Sequence, residues 1–269
     1  MSYLRNAKRV VIKVGTSTLT HKTGMVNIRR VEQLVKVLSD LKNADKEVVL
    51  VTSGAIGVGA GKLGMRERPG DVPTKQACAA IGQSELMYIY DKYFSEYNHN
   101  VAQVLLTRDI IEDEHRKENV INTFRRLLEL SVIPVVNEND TVAIDEIEDQ
   151  ESHAFGDNDT LSAIVAALVD AQLLIILSDI DGLYDKNPKE YSDARLISEV
   201  HHLDEKVMAL GGGKGSEFGT GGMATKLNAA AVCMEHEIPM IILNGKNPCN
   251  LYDLLDGKQI GTTFCPGKD

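Results

Sequence analysis

The sequence predicts an α/β fold, a three-layer sandwich on a mainly parallel central sheet. Two observations carry that expectation. Short β-branched runs recur at residues 9–14, 47–52, 101–106, 132–137, 173–178 and 239–244, apolar throughout rather than alternating, as in strands covered on both faces. Between them lie stretches with apolar residues at helical spacing, so strand and helix alternate along the chain.

The first strand, 9–14, breaks at once into Gly15-Thr16-Ser17. Asn27 is a plausible N-cap, followed by Ile28, Val31, Leu34, Val35, Leu38 and Leu41 at helical spacing. The second strand, 47–52, runs into Ser53-Gly54. Gly59, Gly61 and Gly64 match G-x-G-x-x-G, yet they fall where a helix should already be running, so close helix packing is the expected role. Helices over 74–97 and 114–130 flank the third strand, 101–106. The fourth strand, 132–137, leads into Asn137-Glu138-Asn139-Asp140, and Gly156-Asp157-Asn158-Asp159 opens a helix over 159–169. The fifth strand, 173–178, ends in Ser178-Asp179. A helix over 223–237 precedes the last strand. Acidic 142–156 and glycine-ending 186–222 interrupt the rhythm, which resumes after each, so one domain over 1–269 is expected. No internal repeat is present.

A chain of 269 residues that is 43% hydrophobic can bury a full core. A formal net charge of −10 argues against a general nucleic-acid or anionic-membrane surface and favours small-molecule chemistry. Cys78, Cys233, Cys249 and Cys265 form no C-x-x-C pair and read as reduced thiols. Met1 to Lys8 carries no apolar signal segment, and no apolar stretch reaches the roughly 20 residues of a membrane helix, so a cytoplasmic protein is expected.

Lys13 sits inside the first apolar run, where an unpaired ammonium would cost several kcal/mol. A second lysine, Lys226, closes Gly219-Thr220-Gly221-Gly222-Met223-Ala224-Thr225-Lys226 at a predicted helix start. Glycine loops that lead into helix N-termini suit anions, above all phosphate. Two lysines and two such loops suggest phosphoryl transfer, although no G-x-x-x-x-G-K-[ST] occurs. In an open parallel sheet, ligands bind beyond the carboxyl ends of the strands, where Gly15, Ser53-Gly54, Asn137–Asp140 and Ser178-Asp179 should converge.

The loops at Asn137–Asp140 and 156–159 suit a substrate with an amino group and carboxylates, since amides donate to carboxylates and Asp accepts from ammonium. They also read as turns and N-caps. Asp159, with Asp157 second, is the candidate acid that holds both lysines; its plainer role would be an N-cap. Magnesium is a rival use of the same carboxylates, although it takes only one or two from protein. Ser178 and Asp179 read as a nucleotide edge or as a simple turn. His201-His202 and the acids of 145–151 lack partners at metal spacing and read as solvated surface.

Together, residues 11–17, 51–56, 136–140, 156–159 and 219–226 resemble the glutamate 5-kinases of the amino-acid kinase family, in order and over essentially the whole chain. The resemblance implies the amino-acid kinase fold and ATP-dependent phosphorylation, with Mg²⁺, of the γ-carboxylate of L-glutamate to γ-glutamyl phosphate, the first step of proline biosynthesis. It implies an N-terminal part that binds glutamate through Ser53, Gly54, Asn137, Asp140, Asp157 and Asn158. The C-terminal part would hold the nucleotide through Lys13, Gly15, Ser178, Asp179, Thr220, Gly221, Gly222, Met223, Ala224, Thr225 and Lys226. Lys13 and Lys226 would act on the transferring phosphoryl group. Many members carry an additional C-terminal PUA domain, whereas this chain stops at Asp269, so a form without it is expected. Feedback inhibition by proline is implied, the 142–155 segment is a candidate lid or regulatory element for it, and a homo-oligomer is expected. The alternatives are a kinase of the same fold acting on aspartate, acetylglutamate or carbamate, a nicotinamide dehydrogenase, and a non-catalytic amino-acid sensor.

Overall fold

The computed structural model describes residues 2–21, 23–67, 69–142, 157–212 and 222–266. The N-terminal half comprises α1 (Ser2–Asn6), β1 (Arg9–Val14), α2 (Thr16–Leu19), α3 (Ile28–Asn43), β2 (Glu47–Val51), α4 (Ala55–Lys62), α5 (Val72–Ser95), β3 (Val101–Leu106), α6 (Arg108–Glu112), α7 (Glu114–Glu129) and β4 (Ile133–Glu138). The C-terminal half adds α8 (Asn158–Leu168), β5 (Leu173–Ser178), β6 (Glu199–Val200), α9 (Glu205–Ala209), α10 (Met223–Glu235), β7 (Met240–Asn244), α11 (Asn250–Leu255) and β8 (Thr262–Phe264).

These strands form one sheet in the order β3-β4-β2-β1-β5-β7-β8-β6. Every pairing is parallel except β7 with β8. The expected three-layer α/β architecture is therefore present. Because side chains alternate across a strand, Val10, Ile12 and Val14 of β1 join the core under α3, α5 and α11, while Val11 joins the opposite core under α7, α8 and α10. Chain order reverses at β1, which has β2 on one side and β5 on the other. That is the switch point at which an open sheet leaves a crevice beyond its carboxyl edge.

The local chemistry explains where the elements begin. Asn27 caps α3 by accepting from the Arg30 amide at 3.2 Å. Asp71 caps α5, with a proline in its first turn, so that helix starts at Val72, two residues before the sequence suggests. The expected strand 132–137 is displaced by one residue, and the 223–237 helix stops at Glu235, since Glu237 turns to φ 56°. The Gly59 to Gly64 motif serves packing, as expected. A Cβ at Gly59 would lie 1.9 Å from the Cys78 carbonyl oxygen, and one at Gly82 would lie 1.8 Å from that of Ala55, so α4 and α5 touch backbone to backbone. The short β6 and β8, the latter antiparallel to β7, were not expected from the sequence.

Candidate active site

Lys13, Asp159 and Lys226 meet in the crevice beside β1. Lys13 shares the face of β1 with Val11, the face that α8 and α10 cover, and those helices bring Asp159 and Lys226 to it. Asp159 Oδ1 lies 2.6 Å from Lys13 Nζ and Oδ2 lies 3.0 Å from Lys226 Nζ. All three are buried, at 8%, 1% and 5% exposure for Lys13, Asp159 and Lys226, so the one carboxylate offsets part of the cost of burying the two ammonium groups that face it. Burial alone pushes the Asp159 carboxyl up, but the charges of Lys13 and Lys226 outweigh it and bring the pKa down to about 2. The group is an anion at neutral pH.

Asp159 is not the helix cap. That role falls to Asp157, whose Oδ1 accepts from the amides of Asp159 at 2.7 Å and Thr160 at 2.8 Å, with Oδ2 accepting from the Thr160 hydroxyl at 3.1 Å. Burial, with the Asp159 charge adding to it, raises the Asp157 carboxyl. Asp157 thus fixes the first turn of α8, and Asp159 enters the ion triad from that turn.

On the β2 side, Gly54 has φ +94°, and a Cβ there would approach Thr16 Cγ2 at 3.1 Å. This left-handed position suits glycine. Ser53 Oγ donates to the Val14 carbonyl at 3.0 Å and receives a 3.3 Å bond from Thr16, tying the β1 and β2 loops together. Thr52, one step back, bonds the fully buried Tyr90 hydroxyl at 2.9 Å. At the end of β4, Asn137 donates to Gln83 Oε1 at 2.9 Å. Among the described residues, Asn137 Oδ1 and Asn158 Oδ1 are buried acceptors without a donor. Asp140 lies half-buried just past β4.

The sequence reading missed Gln83. It sits on α5, buried, 54 positions from the asparagine it orients, and nothing local marks a mid-helix glutamine as functional.

On the other side of β1, Ser178 is buried at the end of β5 and its hydroxyl reaches Asp179 Oδ1 at 3.3 Å, while Asp179 itself is exposed. Gly15 adjoins Lys13: a Cβ there would lie 3.7 Å from its Nζ. Gly222 caps α10, Met223 is half-buried and Ala224 exposed in the first turn. The Thr225 hydroxyl reaches the triad: it lies 2.8 Å from Asp159 Oδ2 and 2.8 Å from the Gly222 carbonyl oxygen. Thr220, Gly221 and the 143–155 stretch lie outside the described residues.

Among the described residues no group of three or more His, Cys, Asp and Glu is placed to hold a metal ion. The triad explains part of this, because both oxygens of Asp159 face lysines and those of Asp157 cap a helix. His201 and Glu199 lie 3.5 Å apart on the exposed surface. No helix among the described residues is long and apolar enough to cross a membrane.

The sequence pattern of the Amino acid kinase family matches residues 8–244. The chain belongs to the amino acid kinase family. Within that family it is 56% identical over 266 residues to a glutamate 5-kinase of Listeria monocytogenes serovar 1/2a, covering 99% of this chain and 96% of the relative. It is 55% identical over 265 residues to a glutamate 5-kinase of Clostridium perfringens, covering 98% of each. Solved structures of the fold include UMP kinase from Ureaplasma parvum, at TM-score 0.65 and 17% identity over 96% of this chain and 99% of that one. Isopentenyl phosphate kinase from T. acidophilum superposes at TM-score 0.62 and 19% identity, over 95% of this chain and 99% of that one. At such identities the structural likeness speaks for the fold.

Proposed function

We propose that this protein transfers the γ-phosphoryl group of ATP to the γ-carboxylate of L-glutamate, releasing ADP and γ-glutamyl phosphate, the step that opens proline biosynthesis. One observation carries the reading: a buried lysine pair, bridged by one aspartate, at the switch point of a parallel sheet. The glutamate 5-kinase relatives, at more than half identity over nearly the whole chain, supply the acceptor.

The chemistry asks little of the protein. A glutamate carboxylate oxygen is already a nucleophile; it bonds to the γ-phosphorus as the bond to the bridging β–γ oxygen breaks, and no proton moves. Catalysis then rests on aligning two anions and stabilising charge on the phosphoryl oxygens. Lys13 and Lys226 provide the positive charge. Asp159 holds them in place before substrate arrives, so little reorganisation is needed during transfer. Magnesium, bound with the nucleotide, would add positive charge at the phosphates, and it would ask the protein for no more than one or two carboxylates.

The N-terminal half is assigned to glutamate and the C-terminal half to ATP. Ser53, Gly54, Asn137, Asp140 and Asn158 lie at or beyond the carboxyl ends of β2 and β4 or open α8; Asp157 supports them as the cap. The donorless Asn137 and Asn158 oxygens favour a free ammonium, with three donors, over an N-acylated amine with one. Gly15, Ser178, Asp179 and residues 220–226 are assigned to the nucleotide side. Proline inhibition and self-association remain parts of the proposal supported by the resemblance alone.

The test is ADP release with Mg-ATP across free amino acids and acyl derivatives, with hydroxylamine trapping of the acyl phosphate. Glutamate should give the hydroxamate, and aspartate should be poor because its shorter arm misaligns the carboxylate. Turnover of aspartate or acetylglutamate equal to that of glutamate contradicts the assignment.

A further inference from the structure

Outside the triad, the chain carries a cavity of about 640 Å³ lined by His21, Val26, Asn27, Ile28, Arg29, Arg30, Gln33, Lys246 and Asn247. That volume is in the range of small-molecule sites, roughly 300–1,000 Å³. Its lining includes two arginines, a lysine, a histidine and three amides, and no carboxylate, in a chain whose formal net charge is −10. None of the residues assigned to glutamate or ATP lines it.

The placement of the arginines works against stability. Arg29 and Arg30 occupy the first turn of α3, which holds no acid. There they face the positive end of the helix dipole, where a cation is unfavourable by about 0.3–1 kcal/mol. Asn27, not a charge, caps that helix. A cluster of cations placed at the positive end of a helix, around a cavity, is what an anionic ligand would complement.

The cavity also touches the catalytic loop. Arg30 Nη1 donates to the Ser17 carbonyl in α2 at 3.0 Å, directly after Gly15. On the other wall, a Cβ at Gly245 would lie 3.0 Å from Thr18 Oγ1, so the turn carrying Lys246 packs on the same short helix.

We propose that this cavity is a second, non-catalytic binding site for a small phosphate-bearing compound, and that its occupancy bears on the β1–α2 loop through Arg30. Arginine's planar fork of donors matches a phosphate dianion in two-point contact, Lys246 adds a point charge, and the volume leaves room for an organic body beyond the phosphate. The proposal goes beyond the catalytic reading and does not require it.

The test is isothermal titration of pyrophosphate, without magnesium, into the wild-type protein and into Arg29→Gln/Lys246→Gln, two exposed positions outside the catalytic centre. Wild type should show a site that the double variant weakens by about 10-fold or more. ATP-dependent turnover without added pyrophosphate should match wild type, which also reports an intact fold. Parallel titrations with inorganic phosphate and with AMP separate a free-anion ligand from an organic phosphate; tighter binding of either, lost in the variant, supports the site. Identical isotherms in both proteins overturn the proposal. So does a loss of basal turnover with normal circular dichroism, which would fold the cavity into the catalytic centre.

Discussion

The Thr225 hydroxyl lies 2.8 Å from Asp159 Oδ2, the same oxygen that Lys226 approaches at 3.0 Å. Residues one position apart on α10 thus grip one carboxylate oxygen, and the threonine sets the direction from which the lysine is held.

Thr225→Val keeps the shape and removes that bond. A single hydrogen bond to a charged group contributes about 1.5–3 kcal/mol, and part of this should appear in the transition state as a loss of roughly 10-fold in kcat. Thr225→Ser should recover most of it. If valine were as fast as threonine, the hydroxyl would have no part in ordering the triad.

Asp157 and Asp159 are two residues apart and separate by role. Asp157→Ala should cost about 1 kcal/mol as a lost cap, with Asp157→Asn near wild type in both stability and turnover. Asp159→Asn removes the carboxylate that faces two buried ammonium groups, so it should lower the thermal midpoint as well as kcat, the cost being roughly 3–5 kcal/mol for breaking a buried pair. Were Asp159 only a cap, the asparagine would be almost silent. Paired thermal melts and turnover assays decide the matter.

The same carboxylate should show in acid. Its pKa falls from an ordinary 3.8 to about 2 on folding, so between those values the unfolded chain binds more protons. Stability from this group is complete above about pH 4 and is lost as pH drops toward 2. Urea midpoints measured between pH 5 and 2.5 should fall more steeply for wild type than for Asp159→Asn; parallel slopes would mean that the triad does not set the ionisation of Asp159.

Much of this site is legible in the sequence because burying charge has few solutions. A lysine inside Val11-Ile12-Lys13-Val14 demands an anion, and a second lysine after a glycine loop demands the same. Local pattern does not resolve which of two aspartates caps a helix, since Asp157 and Asp159 both precede an apolar helical run. The Thr225 bond to Asp159 has no local signal either, because its partner lies 66 positions away. Gln83 is invisible because its partner is remote, and β6 and β8, two and three residues long, are too short to show a period.

Gln83→Leu removes the partner that fixes the Asn137 amide. The KM for glutamate should rise by up to about 10-fold, the scale of one buried hydrogen bond, while the KM for ATP stays within two-fold. A rise confined to ATP would move Asn137 to the nucleotide side.

Backbone contact between α4 and α5 leaves no room for a methyl at Gly82, where a Cβ would meet the Ala55 carbonyl at 1.8 Å. Gly82→Ala should destabilise by about 1–3 kcal/mol or more, since neither helix backbone can retreat cheaply. A melting point equal to wild type would show that the helix pair has slack.

The claim on which the rest depends is that the lysines held by Asp159 stabilise the phosphoryl group in transit. The direct measurement is kcat for Lys13→Ala, read as ADP release with Mg-ATP and glutamate at saturating concentrations. Lys226 stays paired with Asp159 in that variant, so the fold should survive, and circular dichroism verifies it. The account predicts a fall of about 10²–10³-fold, the scale of losing one preorganised donor to a transition-state oxyanion. Turnover within a few-fold of wild type by a folded Lys13→Ala protein would contradict it.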